Sequence, residues 1–250
     1  MSHSKTTLVK NISLVTLVKL ANNVLGIFRG IFIAAVLSVE IYGVFKLIQV
    51  FIQYAGYLTL GISSAANREL SISMGTGNRK EFQLIQNTAL VFILFIGFSI
   101  SILAILGYAS GLNYESIFNW PIVGLFCLIV FGNKLNEFFT ALLASQSRFV
   151  DLSLSTILKG FVSTVFVVVL VKHIDIYGVL LALFLGIFSF LLSAYFRLKP
   201  TFSFNPVYKK LRSLLKVGLS IVMLKEGHFV FWSVCTLLVS KFNSVRIISI

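Results

Sequence analysis

Two apolar segments flanking a very short turn, within Lys19–Leu70, constrain this chain more than any other feature. The turn is Ser38-Val39-Glu40-Ile41-Tyr42-Gly43, and each flanking segment carries charges or amides at helical spacing. In the first, Lys19, Asn22, Asn23, Gly26, Arg29 and Gly30 follow the i, i+3, i+4, i+7 rule and occupy about one third of a helix circumference. In the second, Lys46, Gln49, Gln53, Gly56, Tyr57 and Ser64 do the same. Hydrocarbon cannot satisfy such groups, so both stripes must face protein or a water-filled cavity.

Composition agrees that the solvent is a bilayer. Of 250 residues, 58% are hydrophobic and only 12% charged, where a soluble domain carries about 25% charged residues. A hydrocarbon core of about 30 Å needs roughly 20 residues of helix. That ruler predicts seven spans, over 12–38, 42–66, 83–108, 120–145, 153–172, 177–196 and 217–240. The expected fold is therefore an all-α integral membrane protein. The net charge of +13 would suggest nucleic acid on a soluble domain, but no soluble domain is available to carry it. Cys127 and Cys235 lie in apolar runs without polar neighbours at ligand spacing, so they read as fillers. Residues 11–38 are too long for the apolar region of a secretory signal and contain Lys19 and Arg29.

Loop cations give the orientation. With the N-terminus inside, the inner segments hold Lys5, Lys10, Arg68, Arg79, Lys80, Arg148, Arg197, Lys199, Lys209, Lys210, Arg212 and Lys216. The outer segments hold only Lys172, Lys241 and Arg246. The excess predicts a cytoplasmic N-terminus. Glu40-Ile-Tyr-Gly-Val44 recurs as Asp175-Ile-Tyr-Gly-Val179, each at a short outer turn, which suggests that the first and third hairpins are related units.

Six cations fall inside the spans (Lys19, Arg29, Lys46, Lys134, Lys159 and Lys225) against two carboxylates, Glu137 and Glu226. Lys46 is close enough to a span end to snorkel. Lys19, Arg29, Lys159 and Lys225 are deeper, and cavity-facing and snorkelling placements both remain open. Lys134 sits mid-span beside Asn133, Asn136, Glu137 and Thr140. Glu137 is three residues on, within reach on one helix face. The pair reads either as self-neutralising or as a midplane switch or substrate contact. Ser153, Thr156, Ser163 and Thr164 form a hydroxyl-rich face on the fifth span, the kind of surface that packs helices. Near the end, Lys225, Glu226 and His228 interrupt an apolar run, and Glu137 and Glu226 are the carboxylates available to a coupling proton or ion. There is no glycine-rich phosphate loop, no loop-borne carboxylate pair and no histidine cluster, so an enzyme is not expected, and neither a cofactor nor a metal is called for.

The run G-I-F-R-G-I-F-I-A-A-V-L-S-x-x-x-Y-G, followed by Q-x-x-x-Q-Y-x-x-x-x-x-x-G-I, resembles the N-terminal hairpin of Wzx-type polysaccharide (O-antigen) flippases. These belong to the multidrug/oligosaccharidyl-lipid/polysaccharide exporter superfamily. Gly26, Arg29, Gly30, Leu37, Tyr42, Gly43, Gln49, Gln53, Tyr54, Gly61, Ile62, Arg68 and Glu69 carry the match. The resemblance implies a six-helix lobe over 1–196, a basic cytoplasmic linker over 197–216 lying along the membrane surface, and the start of an incomplete second lobe over 217–250. It further implies transfer of undecaprenyl-pyrophosphate-linked oligosaccharide across the bacterial inner membrane by alternating access. The pyrophosphate would meet cations and the sugar would meet amides and hydroxyls. The residues expected to line that cavity are Lys19, Asn23, Arg29, Gln49, Gln53, Lys134, Asn136, Glu137 and Lys159. A surplus of buried cations favours an anionic ligand. A drug/cation antiporter of the same superfamily would want carboxylates in the first two spans. An inactive half-transporter, or a membrane partner of the polysaccharide polymerase complex, is the remaining alternative.

Overall fold

The computed structural model describes residues 2–59, 61–110, 119–200 and 207–223; of residues 2–12 and of Tyr57 only the backbone is described. These residues form helices and no strands. In order they are α1 (Ser2–Val36), α2 (Val39–Tyr57), α3 (Ile62–Gly75), α4 (Arg79–Ala109), α5 (Trp120–Ser145) and α6 (Phe149–Leu198), followed by α7 over 208–223. Segment 13–36 of α1, together with α4, α5 and α6, has the length and hydropathy to cross a membrane. The protein is a multi-pass, all-α membrane protein. The stretch of the expected seventh span beyond 223, with Lys225, Glu226, His228 and Cys235, lies outside the described residues.

Side-chain caps start several helices. Ser38 Oγ accepts from the Ile41 amide at 3.4 Å, Asn78 Oδ1 from Glu81 at 3.2 Å and Asn119 Oδ1 from Ile122 at 3.4 Å. Each satisfies an amide that the first helical turn leaves unbonded. Asn119 also donates through Nδ2 to the Tyr177 hydroxyl, which ties the start of α5 to the bend in α6.

One difference from the sequence reading matters. The span expected over 42–66 is interrupted: α2 ends at Tyr57, and Gly61 adopts a left-handed φ of 71° before α3 begins. A residue in that conformation cannot continue a right-handed helix. The polar link expected at 67–82 is instead mostly the rest of α3. The fifth and sixth spans are as expected two helical arms, here labelled together as α6 and separated where Ile174 and Asp175 leave helical geometry, with φ of 44° at Asp175.

Glycines set how closely the arms and their neighbours approach. A Cβ at Gly186 would meet Ser163 Cβ at 2.7 Å and the Lys159 carbonyl oxygen at 2.9 Å. One at Gly160 would meet Asn22 Oδ1 of α1 at 2.0 Å. Small residues at such crossings let backbones pack where no hydrophobic effect drives helices together. Ile33, Val44, Ile48, Ile129, Val167, Val179 and Ile187 form one core among α1, α2, α5 and α6. Ile62, Leu70, Ile85, Ile93, Phe138, Leu142, Phe190 and Leu214 form another among α3, α4, α5, α6 and α7. The basic stretch before residue 217 thus enters α7 and packs onto α3 and α4, because Leu211, Leu214 and Leu215 recur at helical spacing. Lys210 Nζ reaches Glu81 at 2.8 Å and Glu69 at 3.7 Å.

The open end of the α6 hairpin is clasped by charge. Arg148 Nε donates to Asp151 Oδ2 at 2.8 Å, Arg197 Nη1 to Asp151 Oδ1 at 2.7 Å, and Arg148 Nη1 to the Arg197 carbonyl at 2.9 Å. These side chains are a fifth to two fifths exposed, so water screens part of the attraction. Asp151→Asn should cost about 1 kcal/mol. Thermal melts in detergent should show a lower midpoint for the variant, and high salt should narrow the difference.

Candidate functional site

A cleft of about 520 Å³ opens between the α2–α3 interruption and the middle of α5. Gln53 and Gly56 line it from α2, and Ser63, Ser64 and Asn67 from the first two turns of α3. Asn133, Lys134, Asn136, Glu137 and Thr140 line it from α5, and Lys159 enters from the first arm of α6. The interruption makes this wall possible. Starting a new helix at Ile62 puts Ser63 and Asn67 four residues apart on one face, directly opposite the α5 stripe.

At the centre Lys134 is only 2% exposed. Its ammonium donates to the Gly56 carbonyl at 3.2 Å and to Glu137 Oε1 at 3.3 Å. Ser63 Oγ donates to Glu137 Oε2 at 3.3 Å. The Lys134 cation therefore stands at the C-terminal end of α2, and the Glu137 carboxylate at the N-terminal turn of α3. Both placements match the partial charges that helix ends carry.

Lys159 differs. Among the described residues no carboxylate makes an ion pair with it or with Arg29. Arg29 Nη1 donates to Ser163 Oγ, one turn beyond Lys159 on α6. Arg29 and Glu137 are the charges whose fields reach Lys159. The result is a cation-biased corner where α1 meets α6, beside an amide- and hydroxyl-lined cleft.

Of the residues expected to line a cavity, Gln53, Lys134, Asn136, Glu137 and Lys159 share this cleft. Arg29 lies behind Lys159 in the α1–α6 contact. Lys19 and Asn23 are exposed on α1 outside the cleft. Gln49, exposed on α2, accepts from Lys46 Nζ at 3.3 Å, and that ammonium lies 5.2 Å from the Tyr42 ring centroid. Ser63 and Asn67 escaped the sequence reading because their register counts only from Gly61. A second groove, of about 720 Å³, runs along the other side of α2 and is apolar, lined by Phe51, Leu58, Leu103 and Phe126 among others.

Comparisons with known proteins agree with this architecture. No curated protein matches the chain. Among solved structures, one described as a MOP superfamily transporter from Pyrococcus furiosus, with a binding pocket of reverse polarity, aligns with a TM-score of 0.68 at 17% identity. An outward-facing multidrug resistance MATE family transporter of the same superfamily aligns at 0.62 and 18% identity, and a MATE point mutant at 0.68 and 16%. Each alignment covers 88% of this chain but only 52%, 51% and 53% of the respective structure, so the chain spans about half their length. A family model described as polysaccharide biosynthesis protein matches residues 8–246. With nearly the whole sequence matched, the chain belongs to the polysaccharide biosynthesis protein family, built on the helical fold of the MOP superfamily transporters.

Proposed function

We propose that the chain supplies the N-terminal half of a flippase that moves undecaprenyl-pyrophosphate-linked oligosaccharide repeat units, of the O-antigen type, across the bacterial inner membrane by alternating access. The observation that carries this reading is the corner of Lys159 and Arg29, which among the described residues pairs with no carboxylate, beside a cleft lined mainly by amides and hydroxyls. A pyrophosphate carries the negative charge that such a corner attracts in a medium of low dielectric. Glycan hydroxyls pair with Gln53, Asn67, Asn133, Asn136 and Ser64, which offer both donors and acceptors. The family's link to polysaccharide biosynthesis supports the same substrate class. On this reading residues 1–196 form one lobe, 197–216 a linker and 217–250 the start of a second lobe. Lys19, Asn23 and Gln49, exposed here, face the central space between lobes. The excess of inner-loop cations supports a cytoplasmic N-terminus, and the polysaccharide polymerase complex is the natural neighbour.

A cation exporter is the second reading, favoured by the half-exposed Glu137 in the cleft. Lys134, 3.3 Å away, already meets that charge. The experiment is ligand-induced thermal stabilisation of the detergent-solubilised chain. The expected order is undecaprenyl-pyrophosphate-linked sugar first, with undecaprenol and tetraphenylphosphonium giving little. Stabilisation by tetraphenylphosphonium instead would replace the flippase reading with the exporter.

A further inference from the structure

The oxygen atoms gathered at the α2–α3 interruption have the composition of a monovalent-cation site. The Gly56 carbonyl is at the unwinding end of α2, where carbonyls lack helical partners. Thr59 Oγ1 donates to that same oxygen at 2.9 Å. Glu137 brings a carboxylate from α5, and Ser63 brings a hydroxyl from the first turn of α3. Carbonyl, carboxylate and hydroxyl oxygens at a broken membrane helix are the donors that hard cations take. Here one full negative charge and one helix C-terminus face each other, and the space between them is filled by the Lys134 ammonium, 3.2 Å from one and 3.3 Å from the other.

We infer that Lys134 is a tethered cation: its ammonium occupies the place of a sodium or potassium ion in an oxygen-lined site, and shortening its side chain converts the interruption into a site for a free alkali cation. The physical argument is charge balance. Without a cation, the Glu137 carboxylate would stand beside the negative end of α2, a repulsion that water entering the cleft screens only in part, because the point between them, where the Lys134 ammonium sits, is buried. With the cation attached to α5, the balance is permanent and independent of the ionic composition on either side of the membrane. Lys134 is at 2% exposure and spends its donors on the Gly56 carbonyl and Glu137, so it serves the cleft as a positioning residue. It holds α2 and α3 at the angle that turns Ser63 and Asn67 toward α5. This inference concerns the chain's own charge balance and stands whatever molecule the cleft carries.

The test compares the full chain with Lys134→Ala, Lys134→Ser and Lys134→Ala/Glu137→Gln in detergent. Thermal midpoints are read in sodium, potassium or choline chloride at equal ionic strength, alongside equilibrium binding of radiolabelled sodium. The wild-type midpoint should be the same in all three salts. Each single variant should melt lower in choline and recover saturably in sodium or potassium, with bound sodium approaching one per chain. The double variant should lose both the recovery and the binding. Ethylammonium, which restores the missing ammonium as a free ion, should also recover the single variants. A wild type that responds to sodium as the variants do overturns the assignment. So do single variants that neither respond to any of these cations nor bind sodium.

Discussion

On the flippase proposal, Lys159→Glu is expected to abolish glycan transfer by a full-length transporter that contains this chain. Removing one partner of a desolvated charged contact costs about 2–5 kcal/mol, which is at least about 30-fold in rate or affinity. Reversing the sign adds repulsion against the proposed pyrophosphate. Lys159→Arg keeps the charge and should retain most transfer. Lys46→Glu provides the control, because Lys46 lies outside the cleft, exposed above the Tyr42 ring. It should change transfer by less than about threefold, in keeping with the small effects of exposed charges. The readout is surface polymer in a strain lacking its own flippase, normalised to the amount of protein in the membrane. Equal loss in the Lys46 and Lys159 variants would remove the special role of the α1–α6 corner.

The second large effect separates two copies of one sequence motif. Gly178, in Asp175-Ile-Tyr-Gly-Val179, sits where the returning arm of α6 crosses the first. A Cβ there would lie 2.6 Å from both the carbonyl carbon and oxygen of Leu170. Those atoms are backbone and cannot rotate aside, so Gly178→Ala must push the arms apart, at about 3 kcal/mol or more. Gly43, the equivalent residue in Glu40-Ile-Tyr-Gly-Val44, has nothing within 4 Å of a built Cβ. Gly43→Ala should leave the protein unchanged. Monodisperse yield after size-exclusion chromatography, followed by a thermal melt, measures both. Similar behaviour of the two variants would mean that the α6 bend is looser than its geometry implies.

These two glycines show what the sequence could and could not disclose. Apolar length located the apolar segment of α1, and α4, α5 and both arms of α6, within a few residues, because span length follows from membrane thickness. The recurring motif at both turns suggested equivalent hairpins, but whether a glycine is required depends on what crosses it, and that is tertiary. The Lys134–Glu137 pair was legible from its spacing of three on one helix. That Lys134 points at the Gly56 carbonyl was not, since it needs the break at Gly61. Hydropathy cannot see that break, because Leu58 through Ile62 is uniformly apolar apart from Thr59. Arg29 was legible as a cation inside a span, with snorkelling still open to it, and its partner Ser163 belonged to a face that reads as packing surface.

The Arg29–Ser163 bond joins residues 134 positions apart, and the same face of α1 receives Gly160 against Asn22. A ribosome adding about 5–20 residues per second needs roughly 7 to 27 s to cover that distance. Throughout that interval α1 is already made while the surface that covers its amide and guanidinium is not. During biogenesis α1 must therefore stay near the headgroups, or be sheltered by an insertase, until the first arm of α6 arrives. The chain is synthesised from its N-terminus, but the seating of its first helix waits for α6.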